Sequence, residues 1–108
     1  MTDERRNQAR TPLFLEVTWE ATGGHYQART SDVSIGGCFV DSVSRVTAGE
    51  VIQFALQLPE GDLIEVEAVV AYAYPNIGFG VRFTKVSSEA LRKLRQLIAE
   101  RNQQTNFL

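Results

Sequence analysis

The sequence predicts a mainly β domain finished by one helix: six strands forming a small antiparallel barrel or sandwich, with a C-terminal helix packed across it. Three observations predict it. Apolar residues recur with a period of two through most of residues 13–83, and clusters of Gly, Pro, Asn and Asp separate the runs. After residue 86 the apolar period becomes that of a helix.

The first strand is "LFLEVTWE", which sets Leu13, Leu15, Val17 and Trp19 on one face against Phe14, Glu16, Thr18 and Glu20 on the other. Gly23 and Gly24 accept positive φ, so "TGGH" turns the chain into a return arm, "YQARTSDVS". A third short strand, "CFVDS", follows the paired glycines Gly36 and Gly37, and "VTAGE" turns into the fourth, "VIQFALQL", with Ile52, Phe54, Leu56 and Leu58 on its apolar face. "PEGD" is a tight turn by composition. The fifth strand, "LIEVEAVVAYAY", alternates Ile64, Val66, Ala68 and Val70 with Glu65, Glu67 and Val69 until "PN" stops it. The sixth, "GFGVRF", is interrupted by Gly78 and Gly80, a sign of a bend or of close backbone approach. In "SSEALRKLRQLIAERN", Ser87 and Ser88 are candidate N-caps, Glu89 lies in the first turn, and Leu91, Leu94, Leu97 and Ile98 form a stripe that packs against the barrel.

At 108 residues the chain holds one core and no second folded unit. Its expected organisation is a flexible N-terminal arm (1–12) with almost no apolar anchor, a β-barrel (13–86), the helix (87–102) and a tail (103–108) ending in the apolar pair Phe107 and Leu108. A hydrophobic fraction of 44% with 22% charged residues is ordinary for a soluble protein, and no apolar run approaches the ~20 residues that span a bilayer. The basic start lacks the apolar region of a secretory signal, so a cytoplasmic location is expected. One cysteine, Cys38, excludes an internal disulfide, and with a single histidine, His25, no metal cluster is expected. A formal charge of −2 argues against coating long nucleic acid, which requires many phosphates to be neutralised together. An anion bound here is therefore small and met by a local patch.

Two short motifs stand out. "RRNQAR" places Arg6 and Arg10 four apart just before the first strand, but with nine arginines in the chain about 0.7 such pairs arise by chance. "DVSIGG" places Asp32, Ser34 and Gly37 in a D-x-S-x-x-G pattern that chance supplies only about 0.02 times. An R-x-x-x-R pair before the first strand, a D-x-S-x-x-G turn after the second, and G-x-G-V-x-F before a C-terminal helix together resemble the PilZ domain family, over essentially the whole chain.

The resemblance implies a six-stranded antiparallel β-barrel, a bacterial cytoplasmic location, no catalysis, and binding of the second messenger cyclic di-GMP. By the same resemblance Arg6 and Arg10 match the arginines that contact phosphates and guanine edges, and Asp32, Ser34 and Gly37 match the turn that reads a guanine. Arg5, directly before the pair, implies an intercalated ligand dimer instead of a single molecule. The residue chemistry suits that ligand independently. A guanidinium forks onto a phosphate or onto guanine O6 and N7 and stacks on a base, which lysine cannot do. Asp32 accepts from guanine N1 and N2, the Ser34 hydroxyl donates or accepts beside it, and Gly36 and Gly37 let backbone amides approach. Arg82 and Tyr74 are further candidate contacts outside the defining motifs.

Plainer readings stand beside these. Asp and Ser two apart before glycines make an ordinary side-chain-capped turn, and arginines ahead of a strand make a frayed tail. Cys38 reads as a small core residue and His25 as exposed and idle. What favours binding is that both motifs occur in order, a hairpin apart, in a chain of fitting length and class. The ligand would order the arm and the signal would pass to a separate protein effector, of the kind that governs motility, pili, exopolysaccharide or virulence in the family. The competing classes are a nucleotide-independent PilZ-like interaction module, an oligonucleotide-binding barrel, which needs aromatics on a basic face, and a hydrolase built on Asp32, Ser34 and His25, which lacks a nucleophile elbow.

Overall fold

Residues suited to tight turns end the strands that the sequence marks most clearly. The computed structural model describes residues 10–21 and 24–106. They form β1 (Thr11–Pro12), β2 (Glu16–Ala21), β3 (Gly24–Ser34), β4 (Gly37–Asp41), β5 (Val51–Gln57), β6 (Leu63–Tyr74), β7 (Gly78–Lys85) and a helix, α1 (Ser88–Asn106). The turns between β5 and β6 and between β6 and β7 show why. Gly61 takes φ 103° where the Leu58 amide donates to the Asp62 carbonyl at 2.7 Å, and Asn76 takes φ 67° where the Ile77 amide donates to the Tyr74 carbonyl at 3.0 Å.

All neighbouring strands are antiparallel, in the order β3-β2-β5-β6-β7-β4, and β4 pairs back onto β3. That last pairing selects the closed six-stranded barrel over the sandwich and leaves no long strand edge open. The barrel's interior is apolar. Trp19, Phe54 and Phe79 meet at its centre, with Trp19 edge-on to Phe79 at 5.2 Å and stacked on Tyr26 at 5.6 Å. Leu13, Leu15, Leu56, Leu58, Ile64 and Val66 belong to the same core.

The expected first strand, 13–20, is in fact two pieces. β1 and β2 both lie along the side of β3 away from β4, and the link at 13–15 leaves the ladder. Thr30, fully buried, fills the gap: its hydroxyl donates to the Leu13 carbonyl at 2.7 Å and accepts from the Leu15 amide at 2.9 Å. Alternation alone could not show this, because the side chains of Leu13 and Leu15 still point inward.

The helix begins on Ser87, whose hydroxyl accepts from the Ala90 amide at 3.0 Å, so of the two candidate caps the first is used. Ala90 and Leu94 enter the core, and the complete burial of Leu94 contributes about 1.5–3 kcal/mol. α1 continues past residue 102 to Asn106, so its basic residues lie mid-helix and none occupies the last turn. The polar sequence there carries no stripe, which is why the period falls silent before the helix ends. Phe107 and Leu108 lie outside the described residues.

Candidate functional site

Two irregularities in the ladders build the site. In β3, Thr30 pairs with Val40 and Asp32 with Phe39, so Ser31 is an extra residue. Without this bulge Asp32 would continue the inward series of Ala28 and Thr30. With it, Val33 turns inward, fully buried, and Asp32 turns out. In β6, Val70 pairs with Val81 and Tyr72 with Gly80, so Ala71 is extra. The inward series Ile64, Val66, Ala68, Val70 stops there, and Tyr72 and Tyr74 emerge on the outer surface.

The outward lane of β7 accommodates those rings. A Cβ on Gly80 would overlap the Tyr72 ring, and one on Gly78 would overlap Phe39 and the Val40 carbonyl. The close approach expected of "GFG" is therefore aromatic rings laid over bare backbone. Phe39, Tyr72 and Tyr74 form one outer cluster, with centroids 6.2 Å apart for Phe39–Tyr72 and 5.4 Å for Tyr72–Tyr74.

Arg10 immediately precedes β1, whose pairing with Val33 and Asp32 brings it alongside the D-x-S turn. Its Nη1 donates to Asp32 Oδ1 at 3.3 Å and its Nη2 to the Tyr72 hydroxyl at 3.0 Å. The hydrogen bond that Arg10 donates to Tyr72, opposed by partial burial and assisted by the charge of Asp32, pushes the guanidinium further towards its protonated form. Side-chain exposures of 49% for Arg10 and 27% for Asp32 leave both open to a ligand. α1 holds β1 from the other side: Arg101 Nε donates to the Pro12 carbonyl at 3.2 Å, and the Thr11 hydroxyl donates to Asn102 Oδ1 at 3.4 Å.

Ser34 and Gly37 close a two-residue hairpin loop. The Ser34 hydroxyl accepts from the Gly36 amide at 3.2 Å and donates to the Gly37 carbonyl at 3.3 Å, so the capped turn of the plainer reading is real. One acceptor lone pair remains on that oxygen. Gly36 is tied to β7, its carbonyl accepting from the Phe83 amide at 2.8 Å. A Cβ on Gly37 would overlap the Val81 carbonyl, so the immediate reason for glycine there is close strand packing. Arg82, exposed and in register with Gly37, rises beside this turn and takes no hydrogen-bond or ion-pair partner among the described residues.

The structure thus gathers Arg10, Asp32, Ser34, Gly36, Gly37, Arg82 and Tyr74 on one face, while Arg5 and Arg6 lie outside the described residues. Cys38 sits beneath this face in the core, where burial, and then the charge of Asp32, pushes its thiol far above the ordinary range. His25 is not part of the site. It lies nine residues from Ser34 along β3, roughly 30 Å of extended chain, with its Nδ1 3.4 Å from Glu20 Oε2. That distance separates the members of the hydrolase set. Sequence reasoning missed Tyr72. The available signal was pairing: a short turn after Tyr74 places two tyrosines opposite two glycines.

Among the described residues, no group of three or more His, Cys, Asp or Glu side chains could hold a metal ion, and no helix is long and apolar enough to cross a membrane.

Comparison with known proteins agrees with this geometry. No curated protein sequence matches the chain. Solved structures do. The Bacillus subtilis inhibitor of motility, MotI/DgrA, superposes with a TM-score of 0.81 at 23% identity, over 93% of this chain and 52% of that one. MrkH of K. pneumonia, in its apo state, gives 0.76 at 14% identity, over 98% and 54%. The PilZ domain of CeSA from a cellulose-synthesizing bacterium gives 0.65 at 18%, over 85% and 96%. The chain spans about half the length of MotI/DgrA and MrkH, and at these identities the likeness is one of fold. The family model for the PilZ domain matches residues 4–100, taking in both motifs and most of the helix, and the chain belongs to the PilZ domain family.

Proposed function

We propose that this PilZ domain is a receptor for cyclic di-GMP, bound on the outer face between β1, the β3–β4 turn and β7. PilZ domains are binding and regulatory modules, not enzymes. The observation that carries the reading is the 3.3 Å pairing of Arg10 with Asp32, which joins the two family motifs into one polar face. On that face Arg10 supplies a fork for phosphate or guanine, Asp32 an acceptor for the guanine N1 and N2 donors, and Arg82 a second cation. Arg6, four residues before Arg10, adds the other motif guanidinium, and of the expected arm, residues 1–12, its contacts draw the stretch ahead of Arg10 over the ligand, Thr11 and Pro12 being already paired as β1. Arg5 makes the site a two-ligand one, in which a second molecule stacks on the first. Tyr74 offers a ring at the margin, and Gly36 and Gly37 a bare backbone approach. The ordered arm then alters the surface offered to a separate effector protein in the cytoplasm.

Calorimetric titration with cyclic di-GMP tests this. Saturable heat with two ligands per domain is expected, falling to one in Arg5→Ala. Absence of heat at high micromolar ligand would overturn the reading.

A second reading has its own observation. Val43 is 75% exposed and Tyr74 53% exposed, both lining a cleft of about 430 Å³ beside the site, with Ile77 64% exposed nearby. Such a surface suits a nucleotide-independent interaction module. An Arg6→Ala, Arg10→Ala double variant with an unchanged cellular phenotype would favour it.

A further inference from the structure

We propose that Tyr72 is a positioning residue for the site: its ring, lying over Gly80, holds its hydroxyl where it fixes the Arg10 guanidinium beside Asp32 before any ligand arrives. The proposal rests on the ligand-binding reading above, because the arginine it positions is that reading's arginine.

Four observations converge. The Ala71 bulge brings the Tyr72 ring to the outer surface, whereas unbroken alternation would bury it. Gly80, its partner in register, has no side chain, and a Cβ there would strike the ring carbons and the hydroxyl oxygen alike. Phe39 flanks the ring at 6.2 Å and 29° and fixes its tilt. At the end of this assembly the hydroxyl accepts from Arg10 Nη2 at 3.0 Å while Asp32 accepts from Nη1 at 3.3 Å.

The physical consequence is preorganisation. An exposed arginine samples many rotamers, and a ligand that needs one of them must select it at a cost in affinity. Tyrosine has only two side-chain torsions and is cheaply ordered, so it makes a rigid post for a long side chain. Two acceptors on two terminal nitrogens define the guanidinium plane, leaving the Nε–H, one hydrogen on each terminal nitrogen, and the flat faces for a phosphate or a base. Neither acceptor does this alone, since one hydrogen bond leaves the plane free to swing.

The test has two arms. In the first, cyclic di-GMP is titrated into the wild type and Tyr72→Phe, and into both again with Arg10→Ala added. Tyr72→Phe, which keeps the ring and loses only the oxygen, is expected to weaken binding about tenfold, and to have no further effect once Arg10 is gone. Gly80→Ala reproduces the loss with the hydroxyl present. Unchanged binding in Tyr72→Phe, or an equal loss with and without Arg10, overturns the proposal. In the second arm, nitrogen-15 NMR of the ligand-free protein follows the Arg10 guanidinium. Separate, slowly exchanging Nη signals in the wild type that merge in Tyr72→Phe support the proposal, and merged signals in both overturn it. This arm decides alone if the Arg10→Ala background gives no measurable heat. It also decides alone if the wild type takes no cyclic di-GMP, an outcome that removes the receptor reading and not the positioning.

Discussion

The wall of the barrel made by β2 and β5 and the wall made by β3, β4, β7 and β6 are built from the same strand chemistry, yet the candidate site lies on the second. In β2 and β5 the alternation never breaks: Val17 and Trp19 face in across from Leu56 and Phe54, while Glu16, Thr18, Glu20, Gln53 and Gln57 face out. The outer surface there is mostly polar, interrupted on β5 by the exposed Val51 and by Ala55. On the other wall single extra residues at Ser31 and Ala71 reverse the parity of β3 and β6 over their last few positions. Each reversal exports a side chain that strict alternation would bury, Asp32 in one case and Tyr72 in the other. A regular wall supplies stability, and the bulges at Ser31 and Ala71 on the other wall supply the outward side chains of the candidate site.

The comparison can be broken at three places, in falling order of effect on stability. Phe54→Ala strikes the regular wall at its centre and should cost about 3–5 kcal/mol in urea denaturation. A loss below about 1 kcal/mol would show that the core does not rest on this wall. Thr30→Val strikes the junction of the walls: it keeps shape and burial but deprives the Leu13 carbonyl and the Leu15 amide of their partner. A loss of about 1–3 kcal/mol is expected, with faster amide exchange at Leu15, and normal protection there would count against the role given to Thr30. Arg10→Ala strikes the irregular wall. Its pair with Asp32 is half exposed, so stability should change by less than about 1 kcal/mol, while cyclic di-GMP affinity falls at least about tenfold. A stability loss matching that of Thr30→Val would mean that the pair is structural.

The same division explains what could be read from the sequence. The β5 and β6 strands, the Ser87 cap and the inward faces follow from period and turn chemistry, which are local. The break at 13–15 does not, because it depends on a threonine on another strand. The bulges do not either: a one-residue insertion leaves no mark in a string of apolar and polar letters, and "AVVAYAY" reads as continuous alternation. Asp32 was found only because a motif names it. Tyr72 belongs to no motif quoted for the family and became visible when its partner glycine and Arg10 were placed around it.

Gly78 and Gly80 have a consequence for how relatives of this chain should be compared. The space above position 80 and the ring at position 72 are one physical object written at two places in the sequence, whereas position 78 is closed by the Val40 backbone carbonyl as well as by Phe39. A side chain at 80 requires the ring at 72 to be smaller or displaced. Positions 72 and 80 are therefore expected to change together, and a glycine scored alone in an alignment says less than the couple 72–80 scored together.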